Sequence, residues 1–230
     1  MNTPVHAETP ALPASERPAS WGGIRVGFWI CIVIAVAVVL RRTSALAYPP
    51  RSAPPQMASL DQGFASHAAL TLAHILPALL FVLLLPFVYS RRFANAAWVE
   101  RLFFPLGFVV GITAYAMMQY SIGGWIERFA VLFFNTLFLF SLANAWRYRS
   151  NDPLLKLRWM TRATAILLGI ATTRPVMGIF FATSRLTHFT PQQFFGIAFW
   201  IGFSLNTLAI ELWLRSSKGQ RQIMRLATAT

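Results

Sequence analysis

An arginine followed at once by a proline, Arg174-Pro175, stands inside a long apolar stretch of this chain, and its guanidinium is the first group there that could do chemistry. Charged side chains in a bilayer core are costly and persist where they bind, relay or pair. Arg174 comes twelve residues after Arg162, or ~18 Å of helix rise, too deep to reach water at that end by extending its side chain. It therefore needs an internal partner or a wet cavity. Pro175 should bend the helix and free a carbonyl one turn back, with Thr172 and Thr173 at hand to satisfy the backbone. If successive helices alternate in direction, the groups able to share its depth are His67 and His74, Tyr115 and Gln119, and Glu127 and Asn135, all in one half of the membrane. The expected ligand pocket is Arg174 with His74, Tyr115, Gln119 and Asn135, suited to an anionic headgroup. The alternative is that Arg174 caps carbonyls or pairs with a neighbouring helix for packing alone.

The other ionisable groups say less. His67 and His74 are seven apart, on one helix face and ~10 Å from each other, too far to hold one metal ion together. Stacked histidines invite a haem b reading, but a bis-histidine haem needs its second ligand from another helix, and the remaining histidines are His6, in the amino-terminal tail, and His188, in a short connector. No cofactor and no metal are expected; a haem- or quinone-linked redox role resting on His67 and His74 is the alternative. Glu211 lies within about one turn of a helix end and can pair with Arg158 or Arg162, a structural ion pair in preference to a proton relay. There is no Gly-rich phosphate loop, no H-E-x-x-H, no G-x-S-x-G and no carboxylate pair at useful spacing, so no nucleophile and base come together and no catalytic residue is named. The single cysteine, Cys31, excludes an intrachain disulfide.

The elements that must position these groups are long apolar segments. Of the 230 residues 56% are hydrophobic and only 12% charged, too few polar side chains to dress a soluble surface. A bilayer core needs about 20 apolar residues per helix. Stretches of that kind run over about 22–40, 67–89, 102–121, 125–146, 159–183 and 193–213, which predicts an all-α bundle of about six transmembrane helices. Residues 1–20, rich in Pro, Ala, Ser and Thr, read as a disordered tail. Residues 21–41 read as the first transmembrane helix, 42–66 as a Pro-rich external connector, 67–215 as a five-helix core and 216–230 as a basic cytoplasmic tail. Ala45-Leu46-Ala47 resembles a signal-peptidase site, but the polar lead-in, the length of the run and the Arg41-Arg42 pair behind it favour an uncleaved helix.

Twenty Lys and Arg against seven Asp and Glu give a net charge of +13. The basic residues fall at the ends of apolar runs, where anionic headgroups select them, so nucleic acid is not an expected partner. With both termini cytoplasmic, fourteen Lys and Arg lie inside and five outside, and Arg41-Arg42 is the local violation. Trp98, Trp146, Trp159 and Trp213 sit near cytoplasmic ends, as an aromatic belt would place them. Gly107-x-x-x-Gly111 fits close packing inside the bundle. No internal repeat supports an inverted-repeat transporter.

Trp159-Met160-x-Arg162, Arg174, Asn206 and Glu211-x-Trp213, together with His74, Leu85-Pro86-Phe87 and Arg91-Arg92, resemble the pattern of domain-of-unknown-function family 2306, a group of bacterial multi-spanning membrane proteins. The likeness covers about residues 66–215. It implies a helical bundle in the bacterial inner membrane and no particular reaction. Two family histidines have no counterpart: Lys156 stands near one position and Trp98 to Arg101 near the other, so a cofactor or proton role carried by them is not implied here. The leading expectation is a protein that binds or passes a small anionic or lipid-like ligand around Arg174; the other class is a structural or regulatory membrane subunit of unknown oligomeric state.

Overall fold

The computed structural model describes residues 22–48, 61–90, 92–93, 96–188 and 190–228. The amino-terminal tail and most of the Pro-rich connector, with the expectations attached to them, lie outside the described residues. All regular structure among the described residues is helical. Six long helices follow in order: α1 (Gly22–Ala47), α2 (Ala68–Val88), α3 (Ala97–Met118), α4 (Gly124–Arg147), α5 (Pro153–Thr187) and α6 (Pro191–Arg215), and a shorter α7 (Ser217–Ala227) ends the fold. A short helical segment at 61–65 leads into α2. Each of the six is long and apolar enough to cross a membrane. The outward surface is itself apolar: Val33, Ile112, Phe129, Leu208 and Leu212 are all more than half exposed, which suits hydrocarbon surroundings and not water. The chain is a multi-pass membrane protein.

Local chemistry sets the helix starts. Asp152 accepts from the Leu155 N–H at 2.9 Å and Pro153 takes the first turn, where its missing N–H costs nothing. These signals start α5 six residues before the apolar run at Trp159 suggested, and the helix continues unbroken through Pro175 for 35 residues. Gln193 reaches back to the Thr190 N–H at 3.0 Å to open α6. Residues 42–47, read as the start of the connector, instead complete α1. Ser216 accepts from the Gly219 N–H at 3.1 Å and starts α7, which the sequence reading left inside a basic tail. Its Ile223 and Leu226 are buried with Leu157 and Leu214, while Lys218, Arg221 and Arg225 recur at i, i+3 and i+7, the polar stripe of an amphipathic helix.

The α5–α6 pair is the most extensive interface, and α5 also packs on α1, α4 and α7. Glycines permit the close approaches. A Cβ at Gly202 would meet the Thr173 backbone on α5, and one at Gly169 would meet Phe203 on α6. Gly107 and Gly111 face Leu142 and Leu139 of α4, so that pair serves contact within the chain. The core centres on Phe81, Leu85, Phe103, Phe104 and Leu142, each at most 0% exposed.

Candidate functional site

Inside the half of the bundle that holds the α3–α4 and α5–α6 connections lies a cavity of about 250 Å³, lined by residues from all six long helices. One end of its lining is polar, with Arg42, Thr71, His74, Glu127, Asn135 and Arg174. The other end is apolar, with Ala35, Val82, Phe138, Ile166 and Phe203.

Most of the polar groups are already served by the protein. Both guanidinium groups of Arg41 and Arg42 hold Asp61, the first of them at 3.1 Å, and only 11% of the Arg42 and Asp61 side chains is exposed. Arg42 also lies over the Phe64 ring, 3.9 Å from its centroid, a cation–π contact. Thr71 donates to the Phe64 carbonyl at 3.1 Å. His74 Nδ1 is 2.9 Å from Thr113 Oγ1. The Thr113 hydroxyl also reaches the Val109 carbonyl at 2.7 Å, so the histidine is tied through it to the backbone of α3. Asn135 Nδ2 donates to the Gly111 carbonyl at 2.9 Å. Glu127 Oε2 accepts from the Gly123 N–H at 2.6 Å, so its charge sits against the free amides and positive dipole end of α4.

Arg174 differs from these. Its Nε is buried without a hydrogen-bond partner, and its Nη1 contact is the Met177 sulfur at 3.7 Å, a weak acceptor. It forms no ion pair among the described residues, and the charges within electrostatic range are two cations, Arg41 and Arg42, and the amide-capped Glu127. A buried cation without its counter-charge is a high-energy arrangement unless an anion joins it. Thr173 beside it donates to the Gly169 carbonyl at 2.9 Å, and Thr172 donates to Asn206 Oδ1 on α6 at 2.7 Å. The backbone next to Pro175 is thereby tied to α6, which fixes where Arg174 starts from.

Of the sequence-derived pocket, Arg174, His74 and Asn135 line one cavity, while Tyr115 and Gln119 do not. The reason is helical phase. Val110, Ala114, Met117 and Met118 carry the cavity face of α3, and positions 115 and 119 fall on the opposite side of that helix. Tyr115 instead shares a hydrogen bond with Thr136, its hydroxyl 2.7 Å from Thr136 Oγ1. Gln119 is exposed and its carbonyl accepts from Arg128 at 2.9 Å. Arg42, Thr71 and Tyr120 belong to the lining although the sequence reading did not place them there. The basic pair that broke the charge rule was their signal: a cation on the sparsely basic side calls for a local acid, and Asp61 is that acid.

His67 and His74 do not act together. His67 stacks on Tyr120 with centroids 3.6 Å apart and is not a lining residue, and His188 is exposed at the end of α5, with φ of 55°. Among the described residues no other histidine lines the cavity, so these residues do not fit a bis-histidine haem. Glu211 is engaged at the other end of the bundle, where it accepts from Arg162 at 2.9 Å and Arg215 at 3.1 Å. Arg162 also lies over Trp159, 4.6 Å from its centroid. Arg158, the other candidate partner, keeps a buried Nε without a hydrogen bond. Asn206 Nδ2 donates across to the Ala165 carbonyl at 3.3 Å.

No family model matches the chain, and no curated protein and no solved structure is similar to it.

Proposed function

We propose that this chain is an inner-membrane protein, with both termini in the cytoplasm, that binds or passes a small anionic or lipid-like ligand through the cavity around Arg174. One observation carries this reading: a guanidinium that forms no ion pair among the described residues, its Nε without a hydrogen bond, lines a chamber walled by every long helix. A protein that kept Arg174 for packing would be expected to give it a carboxylate, as Arg162 has in Glu211.

The orientation rests on charge. The end of the bundle remote from the cavity carries Arg147, Arg149, Lys156, Arg158, Arg162 and the stripe of α7, a surface for anionic headgroups on the cytoplasmic leaflet. Kinship with domain-of-unknown-function family 2306 is part of the proposal. It rests on the likeness of Trp159, Met160, Arg162, Arg174, Asn206, Glu211 and Trp213 to that family's sequence pattern.

The test is purification of the wild type and of Arg174→Leu, followed by mass analysis of the small molecules each retains. The expected result is an anionic, largely apolar molecule with the wild type and its absence from a variant that still inserts. Equal retention by both, or no anionic molecule with either, refutes the reading.

A further inference from the structure

Resting on the cavity reading just given, the inventory of its polar groups limits what the ligand is. Arg42, Thr71, His74, Glu127 and Asn135 are each bonded within the protein. Arg174 alone among them has an unmet demand, and that demand is for an anion. One charged group and an otherwise apolar body match the lining.

Shape narrows the choice again. The lining runs from Arg174 to Ile166 along α5 and from Glu127 to Phe138 along α4, which is ~12 Å and ~16 Å of helix rise. A cavity of about 250 Å³, below the ~300–1,000 Å³ of ordinary ligand pockets, has room for one hydrocarbon chain of modest length and not for two. Val82, Phe138, Ile166 and Phe203 line the far end, an apolar floor.

We infer that the cavity takes a single-chain amphiphile whose oxyanion head, a carboxylate or a phosphate monoester, sits on Arg174 and whose chain runs down to the Phe138 and Phe203 floor. Charge and length then act as separate filters. The head must be anionic because Arg174 has no other partner, and the body must be a single chain because the channel admits no second one.

The experiment uses full-length protein in phosphatidylcholine nanodiscs and probes with a diazirine at the chain end, with adducts mapped by mass spectrometry. Four probes are compared: a ten-carbon carboxylate, a decanoyl glycerol phosphate, a didecanoyl phosphatidic acid and a ten-carbon alcohol. The expected result is adducts on Val82, Phe138, Ile166 or Phe203 with the carboxylate, the monoacyl phosphate or both, and about tenfold fewer with the alcohol or in Arg174→Gln, as loss of a charged hydrogen bond implies. Whichever single-chain anion labels more strongly names the head. A plug at the channel wall, Ala78→Phe, should remove floor adducts with Arg174 intact. If diacyl phosphatidic acid labels the floor as well as the single-chain probes, and in an Arg174-dependent way, the single-chain inference is overturned while the cavity reading stands. If no anionic probe reaches the floor, or if labelling ignores Arg174, both are overturned.

Discussion

Replacing Gly202 by alanine should loosen the α5–α6 seam, and replacing Gly178 by alanine should do the reverse. A Cβ at Gly202 would lie 2.6 Å from the Thr173 nitrogen and 2.7 Å from its Cα. Against an ordinary contact of 3.4 Å the shortfall is 0.8 Å, and the obstacle is backbone, which has no rotamer to change. The helices must part, and overpacking of this kind costs about 1–3 kcal/mol. Alanine returns about 1 kcal/mol in helix propensity, so the net loss is at most about 2 kcal/mol. Gly178 lies on the same α5, exposed, with nothing within 4 Å of its Cβ position. There the propensity gain of about 1 kcal/mol stands alone. The two variants should therefore differ by about 1–3 kcal/mol, about fivefold to a hundredfold in unfolding equilibrium. Equilibrium unfolding in mixed dodecylmaltoside and dodecyl sulfate micelles, followed by tryptophan fluorescence, measures this. Because Thr173 adjoins Arg174, the Gly202 variant should also lose floor adducts from the single-chain carboxylate. Equal stability of the two variants would refute the reasoning, since the close contact would then not exist in the folded protein.

Other perturbations bear on the remaining contacts. Glu211→Leu strands Arg162 and should cost about 1–2 kcal/mol, since the pair is partly exposed; the reversed pair, Arg162→Glu with Glu211→Arg, should recover part of it in the same unfolding assay. Asp61→Asn removes the anchor shared by Arg41 and Arg42. At ~0.5 kcal/mol per contact, a cysteine placed at Ala78 in a Cys31→Ser background should react roughly fivefold faster with an external methanethiosulfonate, and an unchanged rate counts against a closed mouth. Tyr115→Phe and Gln119→Ala lie off the cavity face and should leave probe labelling unaltered; a loss in either would mean that α3 is turned differently. Cysteines at Lys218 and at Tyr120 should label from opposite sides of the membrane, the first only after permeabilisation.

The membrane-spanning elements were legible because the signal is long and additive: each apolar run is close to a bilayer's worth of helix, and a shift of a few residues at either end does not change the count. The ends were less legible because caps are single-residue features, and Asp152 with Pro153 outweighed the polar stretch before Trp159. The site was read in part. Arg174 declared itself by its cost, and His74 and Asn135 followed from depth along alternating helices. Depth alone does not give phase, however, and Tyr115 and Gln119 share the level of the cavity but point the other way. Arg42 was hidden for another reason. Its partner Asp61 lies across the Pro-rich connector, and pairing over that distance in sequence is decided by tertiary packing.

One small contact has a practical consequence. Cys31, the sole thiol of the chain, lies 3.9 Å from Thr172 Oγ1, where the first helix meets the fifth. Its alkylation rate is thus a gauge of the gap between those two helices that needs no substitution and no added label site. A population of unmodified molecules, exposed briefly to a maleimide in native membranes, will report by mass alone how often that seam breathes.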